Sequence, residues 1–506
     1  MNPVRVRFAP SPTGALHIGG LRTALYNYLL ARQTGGQFIL RIEDTDQKRY
    51  VEGAENYIQE ALSWCGLDPD ESPQLGGPHG PYRQSERRNL YASQVDALLK
   101  AKKAYRAFDT PEELDTAREA ANGTFKYDAA TRGRMRNTIS LPASEVSQLE
   151  AQGAPSVVRL LVEPGQTVHI KDIIRGDVTF STDELDDKVL MKADGLPTYH
   201  LANVVDDHDM RITHVIRGEE WLSSTAHHVL LYQAFGWESD MPSFAHLPLI
   251  LKPTGKGKLS KRDGQKLGIP VFPLSWDSKS AEDRLEGFRE RGFHPQALLN
   301  FLAFLGWNPG TEQEIFSLEE LVEAFSLGQV GKSGARFDFD KAQWFNQQYI
   351  SEQPASELIP HIRKALSPLA DEDSTDRLVQ MAELYKSRVK TYPEFRDQLL
   401  YVYQAPSTYD EKTVRKKWKG KVVDVFSKLI DSYHNQSEWI PDHIKSTTLA
   451  FMEQNELGFG QVLPHLRNGI AGTGNGPGAF DMLALLGKDE SILRLEAAIK
   501  AWSINT

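Results

Sequence analysis

Two stretches hold side chains able to act on a phosphate. In RFAPSPTGALHIGG, from Arg7 to Gly20, the imidazole of His17 precedes Ile18, Gly19 and Gly20 at the start of a predicted helix. The N–H groups that open a helix lack internal partners and the dipole is positive there, so phosphate is a natural ligand at such a mouth. Glycines at 19 and 20 let a flat ring or a ribose approach the backbone. In GKGKLSKRDG, from Gly255 to Gly264, Lys258 and Lys261 are point charges able to follow and neutralise a triphosphate as it breaks. Taken singly, His17 reads more simply as a polar helix start, and the lysines as a solvated basic loop.

The first stretch nearly spells a P-loop. Gly14 and Gly19 have the spacing of G-x-x-x-x-G-K-[ST], but Gly20 replaces the lysine and Leu21 the hydroxyl residue. A Walker-type site is therefore disfavoured, and G-x-G-x-x-G is missing too. Lys261 is the candidate to supply the absent lysine from elsewhere in the chain.

Together the two stretches resemble the paired signatures of class I aminoacyl-tRNA synthetases. His17-Ile18-Gly19-Gly20 stands for the HIGH element, with Gly20 where the signature ends in histidine, and Lys258-Leu259-Ser260-Lys261-Arg262 stands for the KMSKS loop. RFAPSPTG, RIEDTD (Arg41 to Asp46), GPYRQSER (Gly80 to Arg87), PTYHLANVVDDH and VIRGEEW narrow the resemblance to the glutamyl-tRNA synthetase family. It is dense over the catalytic half and thinner towards LGKDESILRLEAAI near the end.

The resemblance implies a glutamate–tRNA ligase. Glutamate attacks the α-phosphate of ATP-Mg2+, and the terminal adenosine of tRNA(Glu) then takes the glutamyl group, with tRNA(Gln) as a second candidate acceptor. His17, Lys258 and Lys261 would carry the catalytic charge work. Arg7, Ala9, Ser11, Glu43, Tyr199, Asn203 and Arg217 would bind L-glutamate, with Arg217 on the side-chain carboxylate and Glu43 on the ammonium. A dicarboxylic amino acid needs such cations and such an anion, and arginine offers a carboxylate a planar two-point fork. Thr13, Gly14, His17, Gly19, Gly20, Glu220, Trp221 and Lys261 would hold ATP, and Asp44 and Arg388 would touch tRNA. Arg388 lies in SRVKTYPEF, where an arginine can read a base by paired hydrogen bonds. Glutaminyl-tRNA synthetase, a shortened paralogue that modifies a tRNA base, and a non-catalytic RNA-binding protein on the same fold are the alternatives.

These residues need a scaffold. Val4, Val6 and Phe8 alternate as in a half-buried strand that Pro10 and Pro12 stop; Leu21, Ala24, Leu25, Tyr28 and Leu29 have helical spacing; Gly35-Gly36 precede the strand QFILRIE. This βαβ unit predicts a doubly wound parallel sheet of Rossmann type. Residues 1–101 and 189–250 read as the two halves of one domain, split by an inserted α+β lobe at 102–188. PTYHLANVVDD and ITHVIRGEEW read as strands. The resemblance makes the split domain catalytic and the lobe the binder of the acceptor end, with 251–330 as the lysine loop and a helical stem-contact domain and 331–506 as a helical anticodon-binding region.

The 506 residues, 40% hydrophobic and 25% charged with net charge −10, describe an ordinary globular chain and argue against a general nucleic-acid coat. One basic run, EKTVRKKWKGK from Glu411 to Lys421, reads either as a phosphate contact or as a solvated helix face. No apolar run approaches the ~18 residues of a membrane span. One cysteine, Cys65, excludes an internal disulfide and a cysteine-rich zinc site. Asp206, Asp207, His208 and Asp209, read in a strand-to-loop turn, point different ways and give no metal site; His227 and His228 read as structural. The expectation is a cytoplasmic monomer with no membrane partner, no zinc and no dedicated metal site.

Overall fold

The computed structural model describes residues 3–276, 286–415 and 422–504. Its first strands in chain order are β1 (Arg5–Phe8), β2 (Gln37–Leu40), β3 (Ala104–Ala107), β4 (Val157–Leu160), β5 (Thr167–Asp172), β6 (Gly176–Ser181), β7 (Val189–Met191), β8 (His214–Gly218) and β9 (Ser243–Leu247). The helices among and just after them are α1 (Ile18–Gln33), α2 (Ala54–Trp64), α3 (Arg88–Lys100), α4 (Pro111–Ala120), α5 (Ala143–Ala151), α6 (Tyr199–Asp209), α7 (Leu222–Phe235) and α8 (Lys261–Leu267).

The main sheet runs β2-β1-β8-β9-β5-β6. All its pairings are parallel except the β5–β6 hairpin at one edge. From β1 the chain crosses through α1 to β2 on one side, whereas β8 pairs on the other side of β1. The carboxyl ends of β1 and β8 therefore flank a switch point, where open α/β sheets leave a crevice for ligands. Buried on nearly every face, α1 has Leu21, Ala24, Leu25, Tyr26 and Leu29 fully shielded between the sheet and the helices Pro295–Ala303 and Leu318–Ala324. Each such large apolar side chain contributes roughly 1.5–3 kcal/mol by leaving water, which makes α1 a rigid mount for whatever its N-terminus holds.

A smaller antiparallel sheet, β3-β4-β7, lies with α4 and α5. The segment 167–181, grouped by its turn-rich sequence with that lobe, instead forms β5 and β6 of the main sheet. Short turn-flanked strands look alike whichever sheet they join, and only the pairing of Asp172 with Phe244 distinguishes them. Conversely, β7 carries the lobe's sheet past residue 188.

PTYHLANVVDD is a helix, α6, not a strand. Val204 and Val205 suggested β structure, but Leu201, Val204 and Val205 stand at helical spacing against the core, and Asn203, Asp206 and Asp207 are buried as well. A helix shielded all round loses the polar face that would have revealed its period.

By internal contacts the chain divides into two units: Met1–Glu290 with Pro295–Ala342, and Arg291–His294 with Gln343–Thr506. Among its described residues the second unit holds helices and no strand, from Ala355–Leu366 to Lys488–Ile504. Its core includes Leu358, Ile362, Leu378, Phe395, Phe426, Tyr433, Leu466, Leu483 and Trp502. Cys65, 2% exposed, caps the end of α2. Among the described residues no helix is long and apolar enough to cross a membrane.

Candidate active site

A cavity of about 970 Å³ occupies the crevice. It draws Arg7, Ala9 and Ser11 from the end of β1, His17, Gly19 and Gly20 from the mouth of α1, Glu43 from beyond β2, and Tyr199 and Asn203 from α6. Arg217, Glu220 and Trp221 come from the end of β8, and Lys258 and Lys261 from the segment entering α8. Residues from 7 to 261 thus converge where β1, β2 and β8 end and α1, α6 and α8 begin.

His17 is the N-cap of α1, and its Nδ1 accepts from the backbone N–H of Gly19 at 3.1 Å. Burial, with Lys258 and Lys261 adding, pushes its pKa down to about 4. The neutral ring therefore carries its proton on Nε2, a donor with no partner among the described residues, on a ring that lines the cavity. Phe272 meets this ring edge to face at 5.9 Å and lies 5.4 Å from the Lys261 ammonium. Gly14 has φ +130°, and a Cβ placed there would stand 3.6 Å from Lys261 Nζ. A Cβ at Gly20 would come within 2.5 Å of Leu16 Cδ1, so in this chain a branched residue at that position competes with the Leu16 side chain. Ser260 caps α8 in a reciprocal box with Asp263, which fixes Lys261 as the first helical residue.

Lys258 is paired with Glu220, Nζ to Oε1 2.6 Å. Burial pushes the Glu220 carboxyl up, but this lysine outweighs it and holds the group below its ordinary value. Trp221 packs against Tyr199 with ring centroids 4.4 Å apart.

Deeper in the cavity, Arg217 is 5% exposed. It donates to Tyr199 Oη at 2.7 Å, Thr225 Oγ1 at 2.8 Å and His246 Nε2 at 3.1 Å. All of these partners are neutral, and among the described residues no carboxylate lies within ion-pair distance. Glu43 accepts from Asn203 at 3.1 Å and from Arg41 at 3.4 Å. Burial raises its pKa against the pull of Arg41 and Arg7. Arg7 lines the cavity while Asp207 takes its Nε and Nη2 at 3.0 and 3.2 Å.

Thr13 and Gly14 fall outside the lining, although Gly14 adjoins Lys261. Asp44 is buried, and its carboxylate accepts from the backbone N–H and hydroxyl of Ser85 at 2.8 and 2.6 Å, a loop-to-loop tie. Arg388 is exposed in the second unit, on the short 3-10 turn Lys386–Arg388. Of the basic run, residues 416–421 lie outside the described residues. Asp206 and Asp207 are arginine partners, the first 2.8 Å from Arg87 and the second 2.7 Å from Arg41. His228 is buried 3.5 Å from Arg217, and His227 contacts the carbonyl of Asp186 at 2.9 Å.

Asp172, Thr225, His246 and Phe272 support the cavity yet gave no signal in the sequence. Each is a single residue in an unpatterned stretch, brought in by strand pairing, by α7 or by a loop's return.

A Rossmann-type cleft with an imidazole at a helix mouth and a lysine beside it has the organisation of a class I tRNA synthetase. Residues 3–344 match the family model for the catalytic domain of class I tRNA synthetases (E and Q), and residues 354–499 match that of an anticodon binding domain. The glutamate–tRNA ligases of Porphyromonas gingivalis and Bacteroides thetaiotaomicron are each 50% identical over 498 residues, covering 98% of either chain. A crystal structure of a glutamate tRNA ligase from Elizabethkingia meningosepticum in complex with its amino acid superposes with TM-score 0.94 at 47% identity, covering 99% of each chain. That of the glutamate–tRNA synthetase from Elizabethkingia anophelis gives 0.93 at 47%, covering 99% of this chain and all of that one. The chain belongs to the glutamate–tRNA ligase family.

Proposed function

We propose that the chain activates L-glutamate with MgATP and transfers it to tRNA. The observation that carries this is Arg217, a buried guanidinium at the base of the cavity whose partners are all neutral. An uncompensated buried cation calls for an anion, and a substrate carboxylate meeting the planar fork supplies one. Glu43, held by Asn203, faces the ammonium, and Arg7 adds positive charge beside the α-carboxylate. Ala9 and Ser11 shape the same end.

ATP lies over the mouth of α1, its base and ribose beside Gly19, Gly20, Glu220 and Trp221, its phosphates within reach of His17, Thr13, Gly14 and Lys261. The α-carboxylate of glutamate attacks the α-phosphorus, the bond to the bridging oxygen breaks, and pyrophosphate leaves. The Nε2–H of His17 and the ammonium of Lys261 meet charge that grows on phosphate oxygens, so positioning and electrostatics do the work without an enzyme nucleophile. Lys258 joins them once ATP draws it from Glu220. Among the described residues no three His, Cys, Asp or Glu gather to hold a metal, and Mg2+ arrives on its nucleotide. In the second step the hydroxyl of the tRNA 3′-terminal adenosine attacks the glutamyl carbonyl and releases AMP.

The lobe of β3, β4 and β7 is assigned to the acceptor end and the helical unit to the anticodon, with Arg388 as a base-reading candidate. Asp44 supports the cleft loop through Ser85 rather than contacting tRNA. A cytoplasmic monomer suits this work. Glutamine specificity is disfavoured by the relatives and by a second unit whose described residues hold helices and no strand. Charging of purified tRNA(Glu) and tRNA(Gln) with labelled glutamate tests the proposal: glutamyl-tRNA(Glu) is expected, and folded protein that charges neither species refutes it.

A further inference from the structure

We propose that Asp172 and His246 are positioning residues for amino-acid selectivity. They hold the Arg217 guanidinium in one orientation without giving it a counter-charge, so that a carboxylate, and not a carboxamide, completes its surroundings. This rests on the reading of Arg217 as the group that takes the substrate's side-chain carboxylate.

The three residues stand on adjacent parallel strands. Arg217 on β8 is directly opposite His246 on β9, and Asp172 ends β5, which pairs with β9 through Phe244. Asp172 and His246 have fully buried side chains. One carboxylate oxygen, Oδ1, accepts from the backbone N–H groups of Ile174, Arg175 and His246 at 3.0, 2.8 and 3.3 Å. The other, Oδ2, lies 2.6 Å from His246 Nδ1.

An ionised carboxylate only accepts, so Nδ1 carries the imidazole proton. Nε2 is then a lone pair, and it faces Arg217 Nε, a group that only donates, at 3.1 Å. Thr225 Oγ1, 3.1 Å from the same Nε2, accepts from Arg217 Nη2. The protons of the imidazole and of Arg217 Nε are thereby assigned, and the assignment starts at Asp172; the Thr225 hydroxyl has the Trp221 carbonyl as an acceptor at 3.3 Å.

Charge follows the same path. The negative charge of Asp172 sits behind the imidazole, and everything that touches Arg217 is neutral: His246 Nε2, the hydroxyls of Tyr199 and Thr225, and, at the longer distances of 3.4 and 3.5 Å, the Trp221 carbonyl and His228 Nδ1. A carboxylate in place of His246 would orient the guanidinium equally well, but it would compete with the substrate's anion. The edges of a guanidinium are donors throughout, so glutamate can satisfy two of them while glutamine turns its NH2 against one. Rejection of the amide depends on buried polar groups left unpaired, which requires that the guanidinium cannot turn away.

The test is Asp172→Asn in the full-length enzyme, with tRNA present and pyrophosphate exchange as the assay. The three backbone donors hold the amide oxygen on their side, so the NH2 faces Nδ1 and forces the proton onto Nε2, against Arg217. The KM for glutamate is expected to rise about tenfold, as for a lost hydrogen bond to a charged group. The KM for ATP should stay within twofold, and the preference for glutamate over glutamine should fall by about the same factor of ten. His246→Gln, which keeps an acceptor, should retain more of that preference than His246→Leu, with melting temperatures reporting the folding of each variant. An unchanged glutamate KM in Asp172→Asn, parallel rises in both KM values, or equal preference in the Gln and Leu variants would overturn the proposal. Arg217→Ala separates the two readings: if it leaves glutamate use intact, the reading of Arg217 fails, and if it alone abolishes recognition, only the roles of Asp172 and His246 fail.

Discussion

Lys261 Nζ lies 3.6 Å from where a side chain at Gly14 would begin, although the two residues are far apart in the chain. The turn that resembles a P-loop without its lysine is thus met by a lysine from the start of α8. A Cβ at position 14 would rest in ordinary van der Waals contact with that ammonium, so what disfavours a side chain there is the strain of φ +130°.

Lys261→Ala should slow pyrophosphate exchange on the order of a hundredfold, the usual size for one donor aimed at developing charge. The dissociation constant for glutamate should stay within about twofold. Calorimetric titration beside the exchange assay distinguishes this from a general loss of the site, in which both would change.

On the proposed reading His17 does two jobs on two nitrogens, and a substitution can part them. Asparagine is a good helix N-cap but is too short to offer the Nε2 donor. His17→Asn is therefore expected to melt within a few degrees of the parent while losing on the order of a hundredfold in exchange rate. A variant that loses stability and keeps its rate would show that capping is all His17 does.

The same residue sets a pH dependence. Its folded pKa, about 4, is below the ordinary value of 6.5, so between those limits the unfolded chain binds more protons. Stability from this group is fully present above pH 6.5 and falls as the pH drops towards 4. Melting curves across that window should decline more steeply for the parent than for His17→Asn. Parallel declines would contradict the buried neutral ring.

Arg217→Lys keeps the charge and removes the fork. Its donors to Tyr199, Thr225 and His246 cannot all be replaced by one ammonium. Glutamate KM should rise at least tenfold with ATP KM nearly unchanged, read by steady-state exchange. An ATP KM that rises equally would place Arg217 outside the amino-acid pocket.

At Gly20, addition of a methyl group would press on Leu16 at 2.5 Å. Overpacking of this kind costs roughly 1–3 kcal/mol, against which alanine regains at most about 1 through helix propensity. Gly20→Ala should therefore lower the melting temperature, and the same change should cost less in a Leu16→Ala background than in the parent. A single variant as stable as the parent would mean that Leu16 simply swings aside.

Much of this site was legible because its parts are patterned. Alternation at Val4, Val6 and Phe8, prolines that stop the strand, and a glycine-flanked histidine place β1 and the mouth of α1 without coordinates. Tyr199 and Asn203 line the cavity from a helix where the sequence reads as a strand, because α6 is buried from Leu201 to Asp207 and shows little polar face. Asp172 and His246 were invisible for a different reason. Their meaning lies in the pairing of β5 with β9 across some seventy residues, and neither has a local spacing that records it.

Cys65 has one more use. It is the chain's only thiol, 2% exposed, and burial pushes its pKa up, so it holds little thiolate at neutral pH. A second cysteine introduced on the surface, for example at Lys256 close to Lys258 and Lys261, would react with maleimide dyes almost alone. The parent chain is thus a ready background for attaching a single fluorophore and watching that segment as nucleotide arrives.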